Sequence, residues 1–196
     1  MRTRPVGVVF VLFGLMALVA GAVSAQSGEE GEEEPVRTDR VESIGTFDFK
    51  PNTIVFSTFA FYPGAIEVSQ GDSIEFAFGE ADLGQEPHTV TIVEEGDLPT
   101  TIEEVFACQP CMEAMEAHFE GELPEMGPPA EGMEAPESIP QPVVEAGEEG
   151  LDAAGDSLWF GPDESIEATV SASAGTTLQF LCALHPWMQG SITIVE

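Results

Sequence analysis

From Ile44 onward the chain consists of short runs rich in Phe, Ile, Val and Thr, separated by Gly, Pro and Asp. In Ser73 to Gly79, Ile74, Phe76 and Phe78 alternate with Glu75 and Ala77, the period of a strand with one buried face. Ala65 to Ser69 precedes it across Gln70-Gly71-Asp72, so the two read as a hairpin. His88 to Val93 alternates again, with Val90 and Ile92 on one face. Ile166, Ala168 and Val170 form another such series before Ala174-Gly175 turns the chain. Beyond that turn Leu178, Phe180 and Cys182 share a face, and Ser191 to Val195 closes the chain with Ile192 and Ile194 inward. Strands this short and this regularly punctuated predict an all-β fold, an antiparallel Greek-key β-sandwich or small barrel.

Two regions break the rhythm. Residues 95–157 are rich in Glu, Pro, Met and Ala and poor in β-branched residues, and read as a long acidic insertion, partly helical and partly irregular. Within it Thr100 or Thr101 suits a helix N-cap with Glu103 or Glu104 completing a capping box, and Pro110 should break anything long. At the other end, Arg2 and Arg4 precede an uncharged run, Val6 to Val23, which finishes in the small residues Val23-Ser24-Ala25. That layout predicts a signal peptide over 1–25, cleaved before Gln26; an uncleaved anchor over residues 6–23 is the alternative. Residues 26–43 then form an acidic leader without regular structure, and 44–196 the folded domain.

Charge narrows the partners. The 196 residues carry 36 Asp and Glu against five Lys and Arg, a formal net charge of −31. Nothing basic follows Lys50. Such a chain repels phosphate backbones and anionic lipid, which argues against nucleic-acid and peripheral membrane binding and leaves a basic protein partner open. Because the acidity is spread along the sequence, it also suits a solvated surface adapted to high salt.

The chemistry concentrates in Cys182-Ala183-Leu184-His185-Pro186-Trp187-Met188, three candidate ligands in seven residues at a strand end. A thiolate and two imidazoles in a plane, with a weak axial thioether, describe a type 1 copper site. The motif supplies Cys182, His185 and Met188, and His88, at a strand entry after Pro87, supplies the second imidazole. His118 competes for that role but lies in the insertion, where the sandwich frame is not expected to hold it.

At these residues the sequence resembles the cupredoxin family, in particular its plastocyanin and amicyanin group. Cys182-x2-His185-x2-Met188 looks like the short ligand loop of amicyanin, Pro87-His88 like the first histidine ligand, and Gly190 fits too. The resemblance spans roughly 46–94 and 157–196. It implies a β-sandwich with one copper near an end and His185 offering its ring edge to redox partners. A site closed by these ligands leaves no equatorial position open to water or substrate, which argues against an enzyme. Many relatives carry Asn after the first histidine, where it ties the two ligand loops together; Thr89 stands here.

Cys108 and Cys111 leave three readings open: a local disulfide, a second soft Cu(I) site with Met112, Met115 and His118, or a redox-active dithiol. Met126 and Met133 add soft ligands without useful spacing. Two functional classes follow. One is a monomeric, exported electron carrier, periplasmic or extracellular, whose partner docks near His185 and Trp187; the other is a protein that buffers or delivers copper through the insertion. Since all four type 1 candidates lie outside 95–157, the insertion reads as an accessory, removable without loss of the ligand set.

Overall fold

The computed structural model describes residues 38–120 and 140–196. The expected signal peptide, residues 26–37 of the leader, Met126 and Met133 lie outside them. Twelve strands and two α-helices are described: β1 Thr38–Gly45, β2 Phe47–Lys50, β3 Ile54–Ser57, β4 Ala60–Tyr62, β5 Ala65–Ser69, β6 Ser73–Asp82, β7 His88–Val93, α1 Ile102–Phe106, α2 Gln109–His118, β8 Val143–Val144, β9 Ser157–Phe160, β10 Ser165–Thr169, β11 Thr177–Leu181 and β12 Gln189–Val195. One sheet has the order β10-β6-β1-β4, the facing sheet β5-β12-β11-β7-β9-β8, and β2 and β3 form a separate ribbon. The main core lies between the sheets, with Val41, Ile74 and Phe76 from one and Val90, Ile92, Phe180, Ile192 and Ile194 from the other. This is the expected β-sandwich, with β1·β6 and β5·β12 paired in parallel and the remaining pairs antiparallel.

Two sequence expectations need correction. Ala65–Ser69 and Ser73–Asp82 are not a hairpin, because β5 pairs with β12 and β6 with β1 and β10. The turn is present: the Asp72 carboxylate accepts the Ser69 N–H at 2.9 Å, and Gly71 sits at φ +93°. It is an arch that carries the chain across the core. Both strands bury one face in the same core, so alternation alone does not separate an arch from a hairpin. The leader, expected to run to residue 43, ends earlier, since Thr38–Gly45 is β1 at the interior of its sheet. Its inward face holds Asp39, Val41 and Ser43, which carries little apolar signal, and the strand is held by its ladders on both sides.

The insertion begins as read. Thr101 caps α1, its hydroxyl accepting the Glu104 N–H at 3.2 Å while the Glu104 carboxylate accepts the Thr101 N–H at 3.0 Å. The helix stops at Ala107, and Pro110 falls in the first turn of α2, where its missing N–H leaves no bond unmade. Alternation along the larger sheet then decides what α2 covers. Val90, Ile92, Leu158, Phe160, Phe180 and Cys182 point into the main core, whereas Val93, Trp159, Leu181 and Ala183 point outward against Cys108, Cys111, Ala114, Met115 and Phe119. A second apolar layer therefore lies on the outer face of the sheet, and every residue of β7 is buried. After residue 140 the chain returns as β8, which extends the sheet beyond β9.

Candidate metal centre

His88 opens β7 opposite Phe160, with its side chain on the core side in phase with Val90 and Ile92. Cys182 follows β11, and its loop is closed by three backbone bonds: Cys182 N–H to Met188 O at 3.0 Å, His185 N–H to Cys182 O at 3.1 Å, and Met188 N–H to His185 O at 2.7 Å. Gly190 lets β12 resume directly after the loop, since a Cβ there would lie 2.3 Å from the Phe180 ring. These elements bring His88, Cys182 and His185 together, each buried, with ligand atoms within 4.8 Å of one another. Met188 is fully buried beside Cys182 in the main core.

Hydrogen bonding fixes which ring nitrogens face the centre. His88 Nε2 donates to the Asp82 carboxylate at 2.7 Å, and His185 Nε2 donates to the Glu86 carboxylate at 2.8 Å. A neutral imidazole that donates from Nε2 keeps a lone pair on Nδ1. Both Nδ1 atoms point at Cys182 Sγ, at 3.8 Å from His88 and 3.6 Å from His185, and lie 3.3 Å from each other. The three atoms form a nearly equilateral triangle whose equidistant point lies about 2.1 Å from each. First-row metal bonds of about 2.0–2.1 Å to imidazole and 2.3 Å to thiolate match that spacing. The donor set fits a metal ion on this geometry.

The electrostatics agree. Burial, the largest influence, pulls His88 and His185 below the usual histidine pKa, so both rings are neutral at pH 7. Burial pushes the Cys182 thiol up, against the Thr89 N–H, which donates to Sγ at 3.3 Å. Without a cation, three lone-pair donors therefore share one thiol hydrogen in a site closed to water.

Aromatic rings fix the imidazoles in place. Phe59 lies 5.3 Å from His88 and 4.7 Å from His185, Phe78 and Phe160 flank His88 at 5.9 and 5.8 Å, and Trp187 meets His185 at 5.4 Å. Gly84 lets the loop after β6 close over Phe59, since a Cβ there would fall 2.1 Å from its ring. The tie made by Asn in the resembled family is made here by Thr89, whose hydroxyl accepts the Ala183 N–H at 2.7 Å.

Several expectations change. His185 is 6% exposed, and its Nε2–H is taken by Glu86. The five insertion residues do not assemble as a second site. Cys108 and Cys111 form a disulfide, Met112 is exposed, and His118 turns both ring nitrogens to Gln141 O and Ser157 Oγ. His118 is also held by the sandwich after all, fully buried against β9. Sequence reasoning missed Asp82, Glu86 and Phe59; Asp82 and Glu86, both close to His88 in the chain, were the only signal.

No family model matches the chain, and no curated protein does. Similar solved structures include a purple cupredoxin from Nitrosopumilus maritimus, 10% identical, covering 80% of this chain and 98% of that one at a TM-score of 0.38. Auracyanin A, a "blue" copper protein from Chloroflexus aurantiacus, is 16% identical and covers 80% and 97% at 0.40. Amicyanin from Paracoccus versutus is 12% identical and covers 84% and 86% at 0.35.

Proposed function

We propose that this chain is an exported type 1 copper protein that carries single electrons. The observation that carries the reading is the convergence of His88 Nδ1, His185 Nδ1 and Cys182 Sγ, buried, mutually spaced for one metal ion, and short of hydrogens. Thiolate, two imidazoles and a thioether together suit copper, and Cys182, His88, His185 and Met188 of the same buried cluster would hold it. Copper, when bound, supplies a one-electron couple. The chain's own part is to hold the donors rigid and to exclude water. Asp82 and Glu86 orient the rings and raise their basicity, and the aromatic side chains prevent them from turning. A donor set that stays put on gain or loss of an electron keeps reorganisation small, and burial of all three donors leaves no open position for substrate, which favours a carrier over a catalyst.

The Cys108–Cys111 disulfide supports an oxidising, extracytoplasmic location. Among the described residues no helix is long and apolar enough to cross a membrane. Trp187, 44% exposed and in contact with His185, marks where a redox partner would dock, and the net charge of −31 favours a cationic one.

The test is spectroscopic. Oxidised protein loaded with Cu(II) is expected to show an intense visible band from the Cys182 thiolate, and Cys182→Ser to lose it. A colourless copper complex of the parent protein overturns the assignment.

A further inference from the structure

A row of buried hydroxyls joins the insertion to the ligand loop. Ala183 N–H lies 2.7 Å from Thr89 Oγ1, which lies 3.1 Å from Thr91 Oγ1; that atom lies 2.8 Å from Ser157 Oγ, and Ser157 Oγ lies 2.8 Å from His118 Nε2. Thr89, Thr91, Ser157 and His118 are all buried, and the row connects residues far apart in sequence.

Counting hydrogens fixes its direction. His118 Nδ1 lies 2.5 Å from Gln141 O, which can only accept, so the proton of the neutral ring is on Nδ1 and Nε2 accepts. Burial, the largest influence on this residue, keeps the ring neutral. Ser157 must then donate to His118, Thr91 to Ser157 and Thr89 to Thr91, and Thr89 receives the Ala183 N–H. Four links use four hydrogens, one amide and three hydroxyl, and every hydroxyl points away from Cys182.

That direction matters because Thr89 also touches the thiol. Its N–H donates to Sγ at 3.3 Å, and its hydroxyl oxygen holds the N–H of Ala183, the residue after Cys182, at 2.7 Å. A hydroxyl hydrogen committed to Thr91 fixes the side chain with its oxygen turned to Ala183.

We propose that His118 is a positioning residue for the metal centre: by accepting at the far end of the chain through Ser157 and Thr91, it holds Thr89 in the place where its hydroxyl oxygen takes the Ala183 N–H and its own N–H stays on Cys182 Sγ. The inference rests on the copper reading for its electronic consequence and not for the existence of the relay. Hydrogen bonds at the cysteine sulfur tune the potential of such sites, and weakening the Thr89 N–H bond strengthens thiolate donation and favours Cu(II). The insertion then sets the properties of a centre to which it contributes no ligand.

The test uses the full-length protein with His118→Phe, which keeps a ring against Trp159, and Thr91→Val, which keeps the shape of Thr91. Either change leaves Thr89 loose, so that its bonds to Ala183 N–H and Cys182 Sγ both weaken. In the copper-loaded protein both should lower the reduction potential and move the thiolate band to lower energy. The double variant should add nothing to the larger single effect, and Thr91→Ser should behave as the parent. In the metal-free protein, amide exchange at Ala183 should quicken severalfold in both variants while Ile192 stays unchanged. This readout distinguishes failure of the relay from failure of the copper assignment. An unshifted potential in Thr91→Val, additive shifts, or exchange that quickens equally across the sandwich overturns the proposal.

Discussion

Asp82 and Glu86 decide which face each imidazole presents, and Asp82 does so from full burial. Its carboxylate accepts the His88 Nε2–H on one side and the Gly84 N–H at 3.1 Å on the other. Asp82→Asn keeps the shape but offers an amide that can present either a donor or an acceptor to Nε2, so the ring loses its fixed tautomer. By the usual effect of such outer partners, metal affinity should fall about 10–100-fold, measurable by competition with a chelator; unchanged affinity would show that packing against Phe59 and Phe78 orients His88 unaided. The histidines also predict a pH dependence of the metal-free protein. Burial, the largest cause in each, holds His88, His118 and His185 below the ordinary histidine pKa of about 6.5 in the folded protein. The unfolded chain therefore takes up protons first as pH falls. Stability is complete above about pH 6.5 and declines below it, by at most about 1.4 kcal/mol per pH unit for each histidine. The urea midpoint of metal-free protein should drop between pH 7.5 and 5.5, a range in which most carboxylates remain ionised. A flat or rising midpoint there would contradict it, and bound metal should suppress the drop, since ligated nitrogens cannot take protons.

At the scale of elements the insertion has a larger part than its separation from the ligands suggests. Helix α2 covers the outer faces of β7, β9 and β11, where Val93, Trp159, Leu181 and Ala183 would otherwise meet water. Phe119→Ala removes a buried ring that lies 5.5 Å from Trp159 and should cost about 3–5 kcal/mol, read from denaturant midpoints. Deletion of the whole insertion should cost more than that, a large share of the 5–15 kcal/mol that holds an ordinary domain. A deletion variant that melts like the parent would restore the view of the insertion as a removable accessory. The sequence made the strands legible because period-two alternation depends on neighbours, and made Cys182, His185 and Met188 legible because one short loop holds them. The capping box at Thr101 was legible for the same reason. What stayed hidden depends on pairing at a distance. Whether β5 turns back on β6 or crosses the core is set by β12 and β1, and His118 meets Ser157 through the register of β9 on β7. No local pattern records either choice.

For the molecule as a whole, charge is the property that fold and site leave unexplained. Among the described residues the basic side chains are Arg40, paired with Glu42 and Glu75, and Lys50, which lies 3.8 Å from Asp48. All of these pairs are exposed and each contributes at most about 1 kcal/mol. With 36 acidic against five basic residues the charge is far from balanced, and the compact state holds the carboxylates closer together than the unfolded chain does, so repulsion opposes folding. Salt weakens that repulsion as the Debye length falls from about 30 Å at 0.01 M to 3 Å at 1 M. The melting temperature should therefore climb steadily from dilute buffer to molar KCl. A neutral osmolyte such as sucrose separates screening from general exclusion: it should raise stability without the steep initial rise that screening produces at low salt. Docking should show the opposite trend. If a cationic redox partner is drawn by the same field, its association rate should fall as salt rises while electron exchange with a small neutral reagent stays level. Equal melting temperatures across salt would mean that the carboxylates are spaced widely enough to ignore one another, and the acidity would then have to be explained by recognition rather than by life in brine.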